Sequence, residues 1–405
     1  MRILLYGINY SPELTGIGKY SGEMVEWLVQ QDHEVRVVTA PPYYPEWKVS
    51  TEYSSLLYRY EIINGASIWR CPLWVPARPS GLKRLIHLAS FALSSFPIVL
   101  KQIFWKPDVV ICIEPPLFNS FSAIITSKLS GAKSILHIQD FEVDAAFELG
   151  IVKAGWLKSF IYAVERFLMN RFDRVSTISE AMLDKLNKKG VDSIKQLFFP
   201  NWVDTAFIYP LENPSIYRAE LNISLSKAVA LYSGNMGEKQ GLEIVIQAAK
   251  ELENENIQFI MCGSGSALER LKVLAKDLKN IIWLPLQPLE RLNDFLNVAD
   301  IHLLPQQAGA ADLVMPSKLT GMLASGRPII ATADVYTQVE KVVQGCGVVV
   351  APGDNTAFSQ SIKTLSEDVE LRERLGVKAR KYADNNLQYE VIMKKFEKEL
   401  LELVR

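Results

Sequence analysis

Residues 1–39, MRILLYGINYSPELTGIGKYSGEMVEWLVQQDHEVRVVT, read as one β-loop-α-β unit. Arg2 to Gly7 is a short apolar run of strand type. A polar loop from Ile8 to Ile17 follows, holding Pro12 and Gly16. From Gly18 onward apolar residues recur at helical spacing, at Tyr20, Met24, Trp27 and Leu28. Val35 to Thr39 is a second strand. A glycine-rich loop at the carboxyl end of a first strand is where open α/β sheets bind ligands. Gly16 and Gly18 lack a Cβ, so backbone N–H groups there can approach an anion closely. The helix start behind them adds a positive dipole end.

A dinucleotide fingerprint is the rival reading, because Gly16 to Gly22 fits G-x-G-x-x-x-G. Two details oppose it. The loop between strand and glycines is too long for a Rossmann turn. The second strand also runs into Thr39-Ala-Pro-Pro-Tyr-Tyr-Pro45, with no acid to hold a ribose. A loop kept only for chain reversal is the blander alternative.

The chain has 405 residues, enough for two or three domains. It is 49% hydrophobic and 22% charged, with a net charge of −1. That balance is globular and gives no electrostatic case for nucleic acid. Cys71, Cys112, Cys262 and Cys346 are scattered and read as buried thiols in a reducing compartment. The four histidines form no ligand pattern and no D-x-D occurs, so no metal site is expected. The chain begins in a strand without a leader pattern, and a cytoplasmic location is the expectation.

Strand-like and helical runs alternate to the end, which predicts parallel sheets with helices on both faces. Two such series imply two doubly wound domains, with a seam where Pro200, Pro210 and Pro214 cluster. Leu88 to Leu100 is uncharged and flanked by Lys83, Arg84, Lys101 and Lys106. It is too short to span a bilayer and fits either a core helix or an interfacial one. Val152 to Arg171 is a second basic amphipathic stretch. Together they suggest that the first domain rests on the inner membrane surface, as a peripheral protein.

Three loops of the second half follow predicted strands. Tyr232 to Gly241 holds Gly234, Gly237, Gly241 and Lys239; Cys262 to Ser266 holds Gly263 and Gly265; Pro316-Ser317-Lys318 opens a helix. Two lysines and a helix start converging on one place would suit a diphosphate leaving group, on which negative charge grows as the bond breaks.

On these motifs the chain resembles the family 4 glycosyltransferases of GT-B fold, most closely the colanic-acid-type fucosyltransferases of bacterial exopolysaccharide synthesis. The resemblance spans essentially the whole chain. Its most specific parts are Tyr6 to Tyr20, Thr39 to Pro45, Ser134 to Asp144, Thr177 to Ser179, Phe199 to Trp202, Gly234 to Leu242 and Met315 to Leu319. It implies an α/β protein with two Rossmann-like domains facing a central cleft. Residues 1–205 would bind the acceptor and face the membrane, 206–380 would bind the nucleotide sugar, and 381–405 would form a helix crossing back.

The implied reaction is retaining transfer of fucose from GDP-fucose to a polyprenyl-diphosphate-linked glycan, without metal or cofactor. Lys239 and Lys318 would meet the diphosphate. Gly16, Gly18, Gly234, Asn235, Gly263 and Gly265, with Asp312, Ser317 and Leu319, would complete the donor site. The acceptor side would fall to Asp140, as the candidate catalytic carboxylate, with Glu142, Asp144 and Lys19 behind it. A carboxylate there can orient or accept the acceptor proton. Helix capping is the plainer role for these acids, and His137, inside an apolar strand, reads as a core histidine.

The chain departs from the family pattern in two places. Asn235 stands where an arginine is usual, and the two carboxylates of E-x7-E are replaced by Leu313 and Gly321. Asp312 is the neighbouring acid able to substitute for the first. Two alternatives therefore stand beside transfer: a GT-B nucleotide-sugar epimerase, and a nucleotide-sugar-binding pseudoenzyme scaffold.

Overall fold

Val109–Glu114 is buried at every residue, and so is Ile257–Cys262. A strand covered on both faces is apolar along nearly its whole length, and each of these lies inside a parallel sheet. The computed structural model describes residues 1–405 apart from 14–15, 78–79, 149–154 and 309–314. The chain divides into two units, Met1–Pro200 with Met393–Arg405, and Asn201–Ile392.

In the first unit the strands are β1 (Arg2–Tyr6), β2 (Glu34–Thr39), β3 (Arg59–Ile63), β4 (Ala66–Arg70), β5 (Val109–Glu114), β6 (Lys133–Ile138), β7 (Arg174–Thr177) and β8 (Gln196–Phe198). Among the described residues they form one sheet in the order β3-β4-β2-β1-β5-β6-β7-β8. Every pairing is parallel except β3 with β4. The strand order reverses between β1 and β5, so the crevice for a ligand opens beyond the carboxyl ends of those two strands. The helix Gly16–Gln30 follows β1 and buries Tyr20, Met24, Trp27 and Leu28.

The second unit holds β9 (Ala228–Ser233), β10 (Ile257–Cys262), β11 (Ile281–Leu284), β12 (Ile301–Leu304), β13 (Ile329–Thr332) and β14 (Gly347–Val350). Their order is β11-β10-β9-β12-β13-β14, all parallel. Here the switch point lies between β9 and β12. Both sheets are therefore doubly wound, as the alternation of elements predicts.

Three details differ from the sequence reading. The edge strand β3 was not foreseen, although Asn64-Gly65 signals it. Both turn residues have positive φ (47° and 82°), as a two-residue hairpin requires. The division between units falls after Pro200 rather than after residue 205. The tail from 381 is not one helix: Val369–Asn386 ends and Tyr389–Val404 begins. In the first unit Phe396 stacks on Phe199 at 3.9 Å, and His33 Nε2 lies 2.9 Å from Glu397. The residues of the 152–171 stretch up to 154 lie outside the described residues.

Candidate active site

In the second unit three strand-end loops are bonded to one another. Gly234 N donates to Cys262 O (3.0 Å), Met236 N to Ser264 O (2.7 Å) and Ala267 N to Met236 O (2.9 Å). The β9 loop also meets the β12 loop, where Gln307 N donates to Lys239 O at 3.0 Å. Gly263 has φ +142°, and a Cβ there would stand 1.9 Å from Gly234 O. Gly263 and Gly265 are thus required by the contact between loops, a demand separate from any ligand.

Lys318 stands at the start of the helix Ser317–Ala324, beside the β9 loop. Its Nζ lies 4.2 Å from the Tyr232 ring centroid. Its Cδ is 3.4 Å from the position a Cβ on Gly234 would take. The Tyr232 hydroxyl in turn donates to Asn235 O at 2.5 Å. The side chain is half-buried by surface, but enough protein encloses the ammonium to pull its pKa down to about 7 by desolvation. Among the described residues no carboxylate pairs with it. A cation held out of water without a counter-ion is a site prepared for an anion.

The other donor-side candidates separate into two groups. Lys239 and Asn235 are exposed on the β9 loop and Ser317 is exposed at the helix start. Leu319 does not serve as expected. Its side chain lies in the apolar core and its amide donates to Pro316 O at 2.9 Å. Asp312 and Leu313 lie outside the described residues.

In the first unit the space that Gly18 opens is already filled. Glu13 is buried there, and a Cβ on Gly18 would come within 2.6 Å of its Oε2. Glu13 Oε1 accepts from Tyr43 N and Tyr44 N, each at 3.0 Å, and Oε2 accepts from Asn9 at 2.9 Å. Burial raises its pKa. The protein thus supplies its own acid where an anion was expected, so Gly18 serves packing rather than phosphate binding. Gly16, at φ +59°, has Tyr44 as its one near neighbour among the described residues, 3.9 Å from a would-be Cβ. Lys19 pairs with Glu23 at 2.9 Å.

Beyond β6 the acids differ sharply in setting. Asp140 is exposed. Glu142 accepts from Leu117 N at 2.8 Å and so latches the β5 loop. Burial, then nearby acids, push its pKa up to about 7. Asp144 sits between Lys189 (2.8 Å), Lys185 (3.2 Å) and the Tyr162 hydroxyl (2.9 Å). Burial opposes its charge, but those lysines win and hold the carboxyl below its usual range. Asp144 is occupied in a structural ion cluster, whereas the side chain of Asp140 reaches the surface. His137 is buried, with Nδ1 2.9 Å from Ser176 Oγ and Nε2 2.9 Å from Gln139 Nε2. Desolvation holds its pKa at about 3, so it is a neutral core residue.

Comparison with known proteins gives the family. Residues 15–202 match the glycosyl transferase 4-like domain, and residues 215–382 match the glycosyl transferases group 1 domain. The Escherichia coli (strain K12) protein WcaI, named as a colanic acid biosynthesis glycosyl transferase, is 45% identical over 98% of both chains. The chain belongs to the group 1 glycosyl transferases.

Solved structures show the same GT-B fold for this transferase. Sucrose-phosphate synthase from Thermosynechococcus elongatus superposes with a TM-score of 0.78 at 16% identity, covering 99% of this chain and 98% of that one. Anabaena HepE, solved with UDP and glucose, gives 0.72 at 14% identity, covering 99% and 100%.

Sequence reasoning missed two residues that build the transferase's first unit. Arg70 is fully buried at the end of β4. It donates to Glu61 (2.8 Å), Ala40 O (3.1 Å) and Ser11 O (2.5 Å), joining the loops after β1 and β2. Nothing in its local pattern, an arginine closing an edge-side strand, announces this. Glu114 ends β5 wholly buried, and among the described residues neither of its oxygens has a hydrogen-bond partner. Burial, reinforced by Glu165 and Glu142, raises its pKa well above the carboxylate range, so it is held as the neutral acid.

Proposed function

We propose that this transferase moves a sugar, with retention at its anomeric carbon, from a nucleoside diphosphate to an acceptor hydroxyl. The observation that carries the reading is the enclosed Lys318 at the strand-end loops of the second unit, which has no carboxylate partner among the described residues. In the reaction the bond from sugar to phosphate oxygen breaks and a bond to the acceptor oxygen forms. The acceptor's proton passes to the departing phosphate, whose charge Lys318 meets. Asp140 orients the acceptor hydroxyl. The reading calls for no resident metal or cofactor.

The finer reading is fucose from GDP-fucose, delivered in the cytoplasm to a polyprenyl-diphosphate-linked glycan of exopolysaccharide synthesis. Its support is the motif resemblance together with WcaI at 45% identity. A thermal-shift panel of GDP-, UDP- and dTDP-sugars tests the donor. GDP-fucose is expected to raise Tm most, because a ligand bound only by the folded chain stabilises it by mass action. A larger rise with a UDP- or dTDP-sugar would overturn the guanine assignment while leaving the transfer reading standing. Donor binding without turnover on any lipid-linked acceptor would instead favour the scaffold.

The acceptor role has its own check. Asp140→Asn is expected to leave the donor-induced rise in Tm unchanged and to lower kcat by on the order of 10²-fold, the usual scale for a positioned acid–base group. Wild-type turnover in that variant would remove Asp140 from the site.

A further inference from the structure

Three neighbouring helices of the first unit bury one stripe each and leave another apolar stripe facing outward. In Gly81–Lys101 the buried stripe is His87, Phe91, Ser95 and Val99. Leu82, Ile86 and Leu93, with Phe104 in the 3₁₀ turn that follows, are 66%, 49%, 76% and 87% exposed. At about 100° per residue Leu82, Ile86 and Leu93 fall within a sector of roughly 40°, opposite the buried stripe. Asn119–Ser130 packs beside this helix and exposes Phe121 and Leu129, with Phe118 just before it. Gly155–Met169 packs beside that one in turn. It exposes Trp156, Phe160, Val164 and Phe167, at i, i+4, i+8 and i+11, and buries Glu165, Leu168 and Met169.

The exposed apolar area is on the order of 1,000 Å², taking the 150–250 Å² typical of large side chains. That exceeds the largest patch of an ordinary soluble monomer, about 300–600 Å². Its charge is one-sided. Residues 81–107 and 115–139 contain no Asp or Glu. The one acid of Gly155–Met169, Glu165, is buried against Lys189 at 2.5 Å. Lys83, Lys101, Lys106, Lys128, Lys158 and Arg171 stand along these stretches, in a chain whose net charge is −1. Arg171 lies over the ring of Phe167 at 4.5 Å.

We propose that this three-helix face docks the first unit on an anionic lipid surface. The apolar stripes enter the boundary between headgroups and acyl chains, and the lysines meet lipid phosphates. Gly81–Trp105 is long and apolar enough to cross a membrane, but it is tied flat to the unit. Ser95 Oγ lies 2.7 Å from the Tyr6 hydroxyl, and His87 Nδ1 lies 2.6 Å from Trp74 O. Crossing would break both contacts and expose the buried stripe. A second copy is a poorer occupant, since face-to-face pairing would set these basic residues against their own kind.

The test is co-sedimentation of the full chain with vesicles of mixed phosphatidylglycerol and phosphatidylcholine, with pure phosphatidylcholine as the neutral arm. The chain is expected to pellet with the anionic vesicles at low salt and to release as salt rises. A triple variant, Leu93→Glu with Phe121→Glu and Phe160→Glu, is expected to lower partitioning at least about tenfold. Its Tm and donor-induced shift should stay unchanged, because all three side chains are exposed. Wild-type chain remaining in the supernatant, or a triple variant pelleting like wild type, would overturn the proposal. So would a lipid-free dimer that the triple variant dissolves, since the face would then join copies of the chain. Each overturning outcome is read without the donor, so failure here is separable from failure of the transfer reading.

Discussion

Lys318→Met is expected to lower kcat by on the order of 10²-fold, the usual loss when one group aimed at developing charge is removed. Methionine keeps the length and apolar stem, so packing against Tyr232 and Gly234 survives and only the charge goes. Lys239→Ala should cost less, because that lysine is exposed and water already screens it. The enclosed position of Lys318 adds a signature in pH. With its pKa near 7, the free protein holds this lysine charged below pH 7 and largely neutral above pH 8. A diphosphate restores the ordinary lysine pKa by supplying the missing counter-charge. Donor binding at pH 8 is therefore expected to take up close to one proton, measured by calorimetry in buffers of differing ionisation heat. Lys318→Met should take up none. The sign for stability is the same. The folded chain holds this proton less tightly than the unfolded chain, so without donor it loses stability as pH falls from the ordinary lysine range toward 7. Equal kcat in the variant, or no proton uptake in the wild type, would remove Lys318 from the diphosphate site.

Arg70→Met is expected to destabilise the first unit by about 3 kcal/mol, the low end for breaking a buried hydrogen-bonded ion pair. The low end applies because Glu61 keeps a second partner, Arg59, at 3.2 Å. Ala40 O and Ser11 O each lose the guanidinium donor. Urea unfolding followed through the first unit's tryptophans should show the shift. A chain of two units need not unfold in one step, so the measured quantity is the midpoint of that unit's transition. Arg70→Lys should recover only part of the loss, since one ammonium cannot span three acceptors on separate segments. The same variant should slow transfer without weakening donor binding to the second unit, because the loops it loosens belong to the first. A midpoint within error of wild type would mean that Glu13 and the core hold those loops unaided.

Much of the fold was legible because parallel central strands announce themselves. Val109–Glu114 and Ile257–Cys262 are apolar but for one residue each, Glu114 and Gln258, and the helices between strands carry clear stripes. β3 escaped notice because an edge strand with mixed polarity has no such run, though its Asn64-Gly65 turn was there to read. The site was legible only where chemistry and place coincide. Lys318 opens a helix after a strand, and the structure encloses it. Gly18 and Gly263 looked the same in sequence as glycines that admit a ligand. The structure gives their space to Glu13 and to the Gly234 carbonyl. Sequence spacing reports that a Cβ is absent, and only three-dimensional packing reports what uses the room. Arg70 shows the converse, since its three acceptors lie 9, 30 and 59 residues away in the chain.

The backbone bonds that stitch the β9, β10 and β12 loops together bear on how such a protein can be re-engineered. A loop borrowed from another transferase to change donor preference would arrive without its matching neighbour. Met236 would lose the Ser264 carbonyl, or Gly263 would meet a carbonyl in the wrong place. Donor preference in this scaffold is thus inherited in blocks. Swaps that carry the 234–241 and 263–267 segments together should succeed where single-loop grafts misfold, and natural diversification faces the same rule.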